Sequence, residues 1–290
     1  MKKILIIGAN SYIGKSLQNY IINYNDYRVT EDIDNFVAAA REDNINRNRM
    51  PGKNGRDNTL HVNMISASNG EWESEELSQY DTVLHLSGIV HRKEVKDMED
   101  LYDKVNHRLP VAVAKKAKES NVKQFIFMST AAIYGEKATR ITKDTEPTPT
   151  TYYGKSKLAA EQDILKLQSK EFGVAIVRPP MVYGEGCKGN YSRLVRLARL
   201  MPIFPKLHNK RSMIHIDNLC EFLYGLIVKE DTGYYCPQDA EYVDTCELVV
   251  KLRREMGKQT LLIGIFNPLV RILTKHIGSI NKMFGDCYYD

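Results

Sequence analysis

The sequence predicts an α/β fold with a doubly wound parallel sheet and a smaller lobe toward the C-terminus. Short apolar runs typical of buried strands alternate with helical stretches from the N-terminus to Arg178. The first strand is followed by a glycine turn and then a helix. After Arg178 and two prolines the alternation stops, and the remaining pieces are discontinuous. This pattern favours one large sheet domain with an added lobe.

Composition limits the classes of function. The 290 residues suffice for one large or two small domains with a buried core. Hydrophobic content of 43% and charged content of 27% are typical of a soluble globular protein. A net charge of +5 suits a protein that handles anionic small molecules and does not require nucleic acid. We therefore expect a small-molecule partner and no nucleic acid.

Cysteine usage and apolar runs predict a cytoplasmic protein without a metal site or a membrane span. The five cysteines form no CxxC pair, and their odd number indicates reduced thiols. The first apolar run ends at Gly8, too early for a signal peptide. The longest later run, Leu261 to Leu273, is interrupted by Asn267-Pro268 and carries Arg271. It falls short of the ~20 residues that a span needs, and we predict a core or interface segment.

The N-terminal strand and turn predict a dinucleotide site. Residues 2–7 are predicted to form a buried strand, GANSYIG follows at residues 8–14, and a helical pattern then extends to Tyr24. Gly8 allows a tight turn, Gly14 lets the helix pack close to the strand, and the helix amides can bind a pyrophosphate. Ser11 stands where the fingerprint usually has its middle glycine. We predict NAD as the cofactor, with NADP not excluded.

Two segments are candidates for the second strand. YRVTEDI, residues 27–33, is the natural choice, and it offers Asp32 or Asp34 to bond the adenosine ribose, with Asp32 at a plausible distance from Gly8. Alternatively the strand spans residues 61–66, and Ser66 or Ser68 meets the adenosine. The polar, basic stretch at 35–58 is predicted to be a solvated loop.

A third buried strand, residues 81–86, ends at Ser87-Gly88. Such a small pair lets a flat cofactor lie against the backbone, although a tight turn has the same sequence. Asn106, in the helical region that follows, would brace the neighbouring strand and loop, or would be an ordinary helix cap. In a parallel sheet the ligand crevice lies at the carboxyl ends of the strands, where these small residues and Pro179 would meet.

The segment after the fourth strand predicts acid–base chemistry. The strand at residues 124–128 ends on Ser129 and Thr130, and a helical run opens at Tyr152-Tyr153. Tyr153 and Lys157 are four residues apart and share one helix face. An ammonium near a phenol lowers its pKa from about 10, so the pair suits removing a proton from an alcohol. Tyr152 with Lys155 is a rival pair.

The second lobe supplies arginines. We predict a nucleotide-binding domain over 1–178 plus about 212–236, and a substrate lobe over 179–211 and 237–290. The side chains of Arg193, Arg196 and Arg199 are predicted to form a solvated helix face. Arg211, in a short strand entering a helix at 211–217, is the better candidate for binding a diphosphate, because apolar neighbours bracket it.

In this order the motifs resemble the extended short-chain dehydrogenase/reductases, specifically the NAD-dependent epimerase/dehydratase group. The matching motifs are GANSYIG (8–14), HLSG (85–88), VN (105–106), STAAIYG (129–135), YGKSK (153–157), RPPMVYG (178–184) and RSMIHIDNL (211–219). The resemblance implies a Rossmann-type domain and enzymes that act on nucleotide sugars. It covers most of the chain.

The resemblance also implies roles for individual residues. Thr130, Tyr153 and Lys157 would be catalytic, with Ser129 beside them, and Arg211 would meet the sugar-nucleotide diphosphate. The substrate-binding set would be Ser129, Thr130, Tyr153 and Arg211. The cofactor would contact Gly8, Ser11, Tyr12, Ile13, Gly14, Asp32, Leu86, Ser87, Gly88, Asn106, Ser129, Tyr153, Lys157 and Pro180.

The resemblance favours a UDP-sugar 4-epimerase that works through a transient 4-keto sugar. Related 4,6-dehydratases carry an Asp-Glu pair after the catalytic hydroxyl, whereas this chain has Ala131-Ala132. The alternatives are a 4-keto-sugar reductase, an epimerase of polyprenyl-diphosphate-linked sugars, and a non-catalytic dinucleotide sensor. A homodimer is compatible with the sequence.

Overall fold

Twelve strands are seen in a computed structural model that describes residues 2–27, 59–90, 92 and 94–290. Six of them form one parallel sheet: β1 Lys2–Ile7, β2 Leu60–Ile65, β3 Thr82–His85, β4 Gln124–Met128, β6 Gly173–Val177 and β10 Gly233–Tyr235. The other six are short: β5 Arg140–Ile141, β7 Met181–Tyr183, β8 Ile203–Pro205, β9 Met213–His215, β11 Leu261–Ile263 and β12 Tyr288–Tyr289. The order in the main sheet is β10-β6-β4-β3-β1-β2.

Helices connect and cover these strands. They are α1 Tyr12–Tyr27, α2 Glu71–Ser74, α3 Glu99–Asp103, α4 Leu109–Glu119, α5 Tyr152–Leu165, α6 Asn190–Leu200, α7 Ile216–Lys229, α8 Thr245–Glu255, α9 Asn267–His276 and α10 Gly278–Phe284. A π-helical turn, Lys104–Arg108, joins α3 to α4, and short 3-10 turns lie at Leu77–Gln79, Ala131–Tyr134 and Gly264–Phe266.

Both faces of the main sheet are covered. Successive side chains of a strand point to opposite faces, so Ile4 and Ile6 of β1 pack with α1 and α7, whereas Leu5 and Ile7 pack with α4 and α5. All four are fully buried. Apolar side chains on both faces of β1 are typical of a strand inside a parallel sheet, and the helices on both faces confirm the predicted doubly wound sheet.

The strand beside β1 comes from the later of the two predicted segments. Lys2 pairs with Leu60 and Ile7 with Ile65 in a parallel register. Tyr27 ends α1 and is not a strand residue. The rest of the first segment, with Asp32, and the predicted loop at 35–58 lie outside the described residues. The strand therefore delivers Ser66 and Ser68 to the carboxyl edge of the sheet.

Small paired strands build the region after β6. β7 pairs with β9, β8 with β11 and β12 with β5, all in parallel. As predicted, β9 leads directly into α7. A separate apolar cluster holds α6, β8 and α8 together through Leu194, Phe204 and Val249. In the described part of the chain, no helix is long and apolar enough to cross a bilayer.

Candidate active site

A cavity of about 1460 Å³ opens at the carboxyl edge of the main sheet and extends to the second lobe. Pockets for one small molecule measure roughly 300–1,000 Å³, so this cavity has room for two ligands side by side. The predicted residues that line it are Gly8, Ser11, Tyr12, Ile13, Leu86, Ser87, Gly88, Ser129, Thr130, Tyr153, Lys157, Pro180 and Arg211. Ser66 and Ser68 line it too. Gly14 and Asn106 are not among its lining residues.

The turn after β1 has the geometry that a pyrophosphate needs. Gly8 has a φ of 129°, and a Cβ there would lie 3.1 Å from the amide nitrogen of Ser87. A Cβ on Gly14 would lie 2.8 Å from the carbonyl oxygen of Gly8. The hydroxyl of Ser11 accepts a 2.9 Å hydrogen bond from the Gly14 amide, as a helix-capping serine does. Ser11 thus serves a local purpose that a glycine would not, and the turn fits a dinucleotide.

Asn106 fixes the loop after β3 through hydrogen bonds to the loop backbone. The fully buried Asn106 accepts a 2.7 Å hydrogen bond from the amide of Ile89 and donates a 3.0 Å bond to its carbonyl. A Cβ on Gly88 would lie 2.9 Å from the Asn106 Oδ1. The bracing prediction is confirmed, and the helix-cap alternative is wrong, because Asn106 lies within the π-helical turn.

Thr130, Tyr153 and Lys157 converge on the cavity. The Thr130 hydroxyl lies near enough to the Tyr153 phenol to act on its pKa. Lys157 Nζ donates a 2.8 Å bond to the carbonyl of Met128 and lies 4.5 Å from the ring centroid of Phe127. The helix begins at Tyr152, where the hydroxyl of its N-cap, Thr151, accepts from the Gly154 amide at 3.1 Å.

The rival pair does not reach this place. The ring of Tyr152 packs beside that of Tyr102, with centroids 6.4 Å apart, and Lys155 is exposed. Neither Tyr152 nor Lys155 is among the residues that line the cavity. Of the two tyrosine–lysine pairs on this helix, Tyr153 and Lys157 are therefore the pair that faces the cavity.

The pKa values of Tyr153 and Lys157 differ from those that the sequence predicts. Burial raises the pKa of Tyr153 to about 12, although the hydrogen bond with Thr130 acts to lower it. Burial also lowers the pKa of Lys157 to about 7, against the influence of the Glu161 carboxylate. The prediction that the ammonium lowers the tyrosine pKa is therefore wrong for the protein by itself. Desolvation is the largest influence on each group, so Tyr153 is a protonated phenol at neutral pH.

Ser129 belongs to a buried ionic network that the sequence did not suggest. Its hydroxyl donates to the carboxylate of Glu161, whose side chain is 1% exposed. Arg178 pairs with the same carboxylate at 2.7 Å and donates to the Tyr134 hydroxyl at 2.9 Å. A buried carboxylate and guanidinium need such complete pairing. Ser129 lines the cavity, but its hydroxyl donates to Glu161, which does not line the cavity.

Glu94 is a second residue that sequence analysis missed. From the loop after β3, its two carboxylate oxygens accept the amides of Tyr152 and Tyr153 at 2.9 and 3.0 Å. A carboxylate at a helix N-terminus is stabilised by the free amides and the helix dipole. The residues are 58 positions apart, so no local pattern could have revealed the contact.

The lobe side of the cavity carries several cations. Arg211 donates a 2.8 Å hydrogen bond to the Gly285 carbonyl, and its buried Nε has no partner among the described residues. Burial lowers the pKa of this guanidinium. Lys188, Arg193 and Lys282 line the same side. Arg193 is exposed, as predicted, but it also faces the cavity, whereas Arg196 and Arg199 do not line it.

Comparisons with known proteins agree with this architecture. The profile of the "NAD dependent epimerase/dehydratase family" matches residues 4–234. UDP-glucose 4-epimerase of Vibrio cholerae is 30% identical over 272 residues, 89% of this chain and 77% of that protein. An Escherichia coli O157:H7 protein, N-acetyl-alpha-D-glucosaminyl-diphospho-ditrans,octacis-undecaprenol 4-epimerase, is 28% identical over 98% of this chain and 82% of its own length.

Among solved structures, UDP-glucuronic acid 4-epimerase from Bacillus cereus in complex with NAD is similar. It has a TM-score of 0.67 and 18% identity, with 91% of this chain and 87% of that chain covered. The fold and site define an extended short-chain dehydrogenase/reductase. The chain belongs to the NAD-dependent epimerase/dehydratase family, whose cofactor is NAD, as the sequence predicted.

Proposed function

We propose that this chain is a 4-epimerase of a sugar carried on a diphosphate, and that a UDP-sugar is its substrate. The observation that carries the proposal is that Thr130, Tyr153 and Lys157, from a strand end and one helix face, line the same cavity. Family membership supports the enzyme class. The similarity to a UDP-glucose 4-epimerase at 30% identity supports the particular reaction.

In this proposal, the chain's own residues move the proton of the sugar 4-hydroxyl. Thr130 holds that hydroxyl against Tyr153, which accepts the proton as the 4-keto sugar forms and returns it when the new alcohol forms. NAD, when bound, supplies hydride uptake and return, and its positive nicotinamide favours the phenolate. Gly8, Ser87 and Lys157 would hold the cofactor. Ala131 and Ala132 carry no acid that could expel water, so dehydration is not expected.

Arg211 would bind the substrate diphosphate. One terminal nitrogen of its guanidinium is fixed by the Gly285 carbonyl, its Nε has no partner among the described residues, and Arg211 lines the cavity. Arginine suits this task because its planar donors match phosphate oxygens. Lys282, from α10, would add a second positive charge on the same wall, although Glu136 pairs with it at 2.6 Å.

A second candidate is an epimerase of a polyprenyl-diphosphate-linked sugar. The Escherichia coli relative named for such a substrate aligns with 98% of this chain, more than the Vibrio cholerae relative does. The reacting sugar and diphosphate are chemically alike in both substrates. The group beyond the diphosphate, a nucleoside or a lipid, distinguishes them.

The test is a direct comparison of substrates with purified protein and NAD. UDP-glucose, UDP-N-acetylglucosamine and polyprenyl-diphosphate N-acetylglucosamine are each incubated, and the 4-epimer is measured by chromatography. Conversion of a UDP-sugar without net NADH supports the main proposal, and conversion of the lipid-linked sugar alone supports the second. Stoichiometric consumption of NADH with a 4-keto sugar would point to a reductase. NAD binding without turnover of any substrate would point to a sensor.

The predicted cytoplasmic location, the homodimer and the two-part domain division stay predictions. Size-exclusion chromatography with light scattering would settle the oligomeric state directly.

A further inference from the structure

The second lobe exposes a row of large apolar side chains on and before α9. Ile265 is 78% exposed, Phe266 49%, Leu269 55% and Ile272 57%. No residue of α9 is buried. These residues belong to or adjoin the segment that the sequence predicts to be core or interface, and in the described structure these four remain open to solvent. We call these four residues the α9 face.

The spacing of this face is that of an amphipathic helix lying on a surface. Leu269 and Ile272 are three residues apart and project to one side. Val270, on another side, packs against the lobe core. Arg271 and Lys275 are exposed, four residues apart, and flank the apolar row. The helix is thus anchored by one side, while it presents an apolar row with a basic edge on the other.

A neighbouring patch extends the face across the lobe. Leu261 of β11 is 59% exposed and pairs in register with Ile203 of β8, which is 44% exposed. Leu200 and Met201, which end α6, are 70% and 40% exposed. Exposed apolar residues scattered singly need no explanation, but Leu261 and Ile203 lie side by side, and β11 leads directly into the turn that carries Ile265 and Phe266.

The two segments that carry these apolar residues contain basic residues and no acidic ones. Residues 186–216 contain seven Lys and Arg and no Asp or Glu, and residues 256–285 contain four Lys and Arg and no Asp or Glu. All eight exposed apolar residues lie within these two segments. Four of these cations line the cavity, whereas the exposed Arg271 and Lys275 lie on the helix that carries Leu269 and Ile272. A partner that offers apolar contact with negative charge at its edge would complement this helix.

We propose that the second lobe docks on an anionic lipid bilayer, with the α9 face inserted at the level of the headgroups. Apolar burial and attraction between basic residues and anionic lipids act together in such interfacial helices. A second copy of the chain fits this surface less well. A two-fold interface would bring the basic edge of one copy against that of the other, without acids in either segment to pair with it.

Docking would also place the cavity near the lipid. α9 is followed directly by α10, and Asn281 and Lys282 of α10 line the cavity. A diphosphate at the headgroup level would then be within reach of the lobe's cations. The docking proposal does not depend on the activity, since its test measures binding alone.

The experiment is co-sedimentation of the full chain with vesicles. Vesicles of phosphatidylglycerol and phosphatidylcholine in equal parts are compared with phosphatidylcholine alone, at low and at high salt. We expect the protein to sediment with the anionic vesicles and to be released by salt. The double variant Leu269→Ser, Ile272→Ser should lower the bound fraction about tenfold. Arg271→Gln with Lys275→Gln should remove the preference for anionic vesicles.

The matched control is Ile22→Ser with Leu101→Ser, two exposed apolar residues at 50% and 39% that lie outside the lobe. It should bind vesicles like the parent protein. Equal binding by the Leu269→Ser, Ile272→Ser variant and the parent would overturn the proposal. So would a dimeric parent that this variant makes monomeric in light scattering without a change in vesicle binding, since the face would then join two copies.

Discussion

The main-chain amide of Tyr153 donates a 3.0 Å hydrogen bond to the carboxylate of Glu94. The contact ties the loop after β3, against which we expect the cofactor to lie, to the first turn of the helix that carries Tyr153 and Lys157. The same carboxylate binds the amide of Tyr152 at 2.9 Å. One side chain therefore sets the position of α5 relative to the wall of the cavity.

Replacing Glu94 by alanine should loosen the start of α5. Two amides lose a charged acceptor, so we expect a loss of about 1–2 kcal/mol in the free energy of unfolding, measured by urea denaturation. Glu94→Gln, which keeps an oxygen acceptor, should recover part of it. Glu146→Ala, at an exposed acid in the loop before the helix, serves as the control. Equal losses in Glu94→Ala and the control would refute a special role for Glu94.

Tyr153→Phe should separate catalysis from binding. The ring and most of its packing remain, but the group that exchanges the sugar hydroxyl proton is lost. The rate of 4-epimerisation should fall by about 10²–10⁴-fold, while NAD binding stays nearly intact. Tyr152→Phe is the control, because Tyr152 itself does not line the cavity and its ring packs beside that of Tyr102. An active Tyr153→Phe protein with a dead Tyr152→Phe protein would show that the proposed register is wrong.

Gly8→Val should abolish NAD binding in a folded protein. A side chain at Gly8 would meet the amide of Ser87 at 3.1 Å and occupy the place proposed for the pyrophosphate. Gly233→Val is a matched control, because Gly233 also has a positive φ, 117°, but no atom lies within 4 Å of its Cβ position. Calorimetry with NAD and NADP measures the outcome. Undiminished binding by folded Gly8→Val protein would exclude this turn as the cofactor site.

Arg211→Ala should weaken the binding of UDP by about 1.5–3 kcal/mol, the range for a hydrogen bond to a charged group. NAD binding should hardly change. Arg196→Ala removes an exposed arginine of α6 that does not line the cavity, and it should bind UDP normally. Isothermal titration of each variant with both ligands gives the comparison. A parallel loss of UDP and NAD binding by Arg211→Ala would indicate a folding defect instead.

His85 should make the fold sensitive to acid. It is fully buried in β3, neither ring nitrogen has a partner among the described residues, and burial lowers its pKa to about 3. Below the unfolded pKa of about 6.5 the unfolded chain binds a proton that the folded protein does not, so stability falls as pH drops from 6.5 toward 3. The slope approaches about 1.4 kcal/mol per pH unit.

The measurement is the melting temperature between pH 7 and pH 4. His85→Leu should flatten the decline, whereas His61→Leu, at an exposed position of β2, should leave it unchanged. An unaltered decline in the His85→Leu protein would contradict the assignment of the acid sensitivity to this histidine.

Much of the architecture followed from local sequence. The strands at residues 2–7 and 124–128 were predicted within a residue or two, because each contains four successive apolar residues, as buried parallel strands do. The start of α5 at Tyr152 was predicted from the helical pattern that follows the proline-containing loop. The turn at Gly8 and the spacing of Tyr153 and Lys157 are also local patterns. The second strand was left open between two segments, because both contain short apolar runs and register depends on the neighbouring strand.

The tertiary structure decided everything that depends on distant contacts. Glu94 caps a helix 58 positions away, and Glu161 binds both Ser129 and Arg178. The pKa values of Tyr153 and Lys157 shifted in the directions set by burial, whereas their spacing alone favoured attraction. Periodicity reports which face of an element is apolar, but it does not report what covers that face. Hence the sequence predicted an apolar segment at 261–273. Only the fold revealed that Ile265, Phe266, Leu269 and Ile272 in this segment are exposed to solvent.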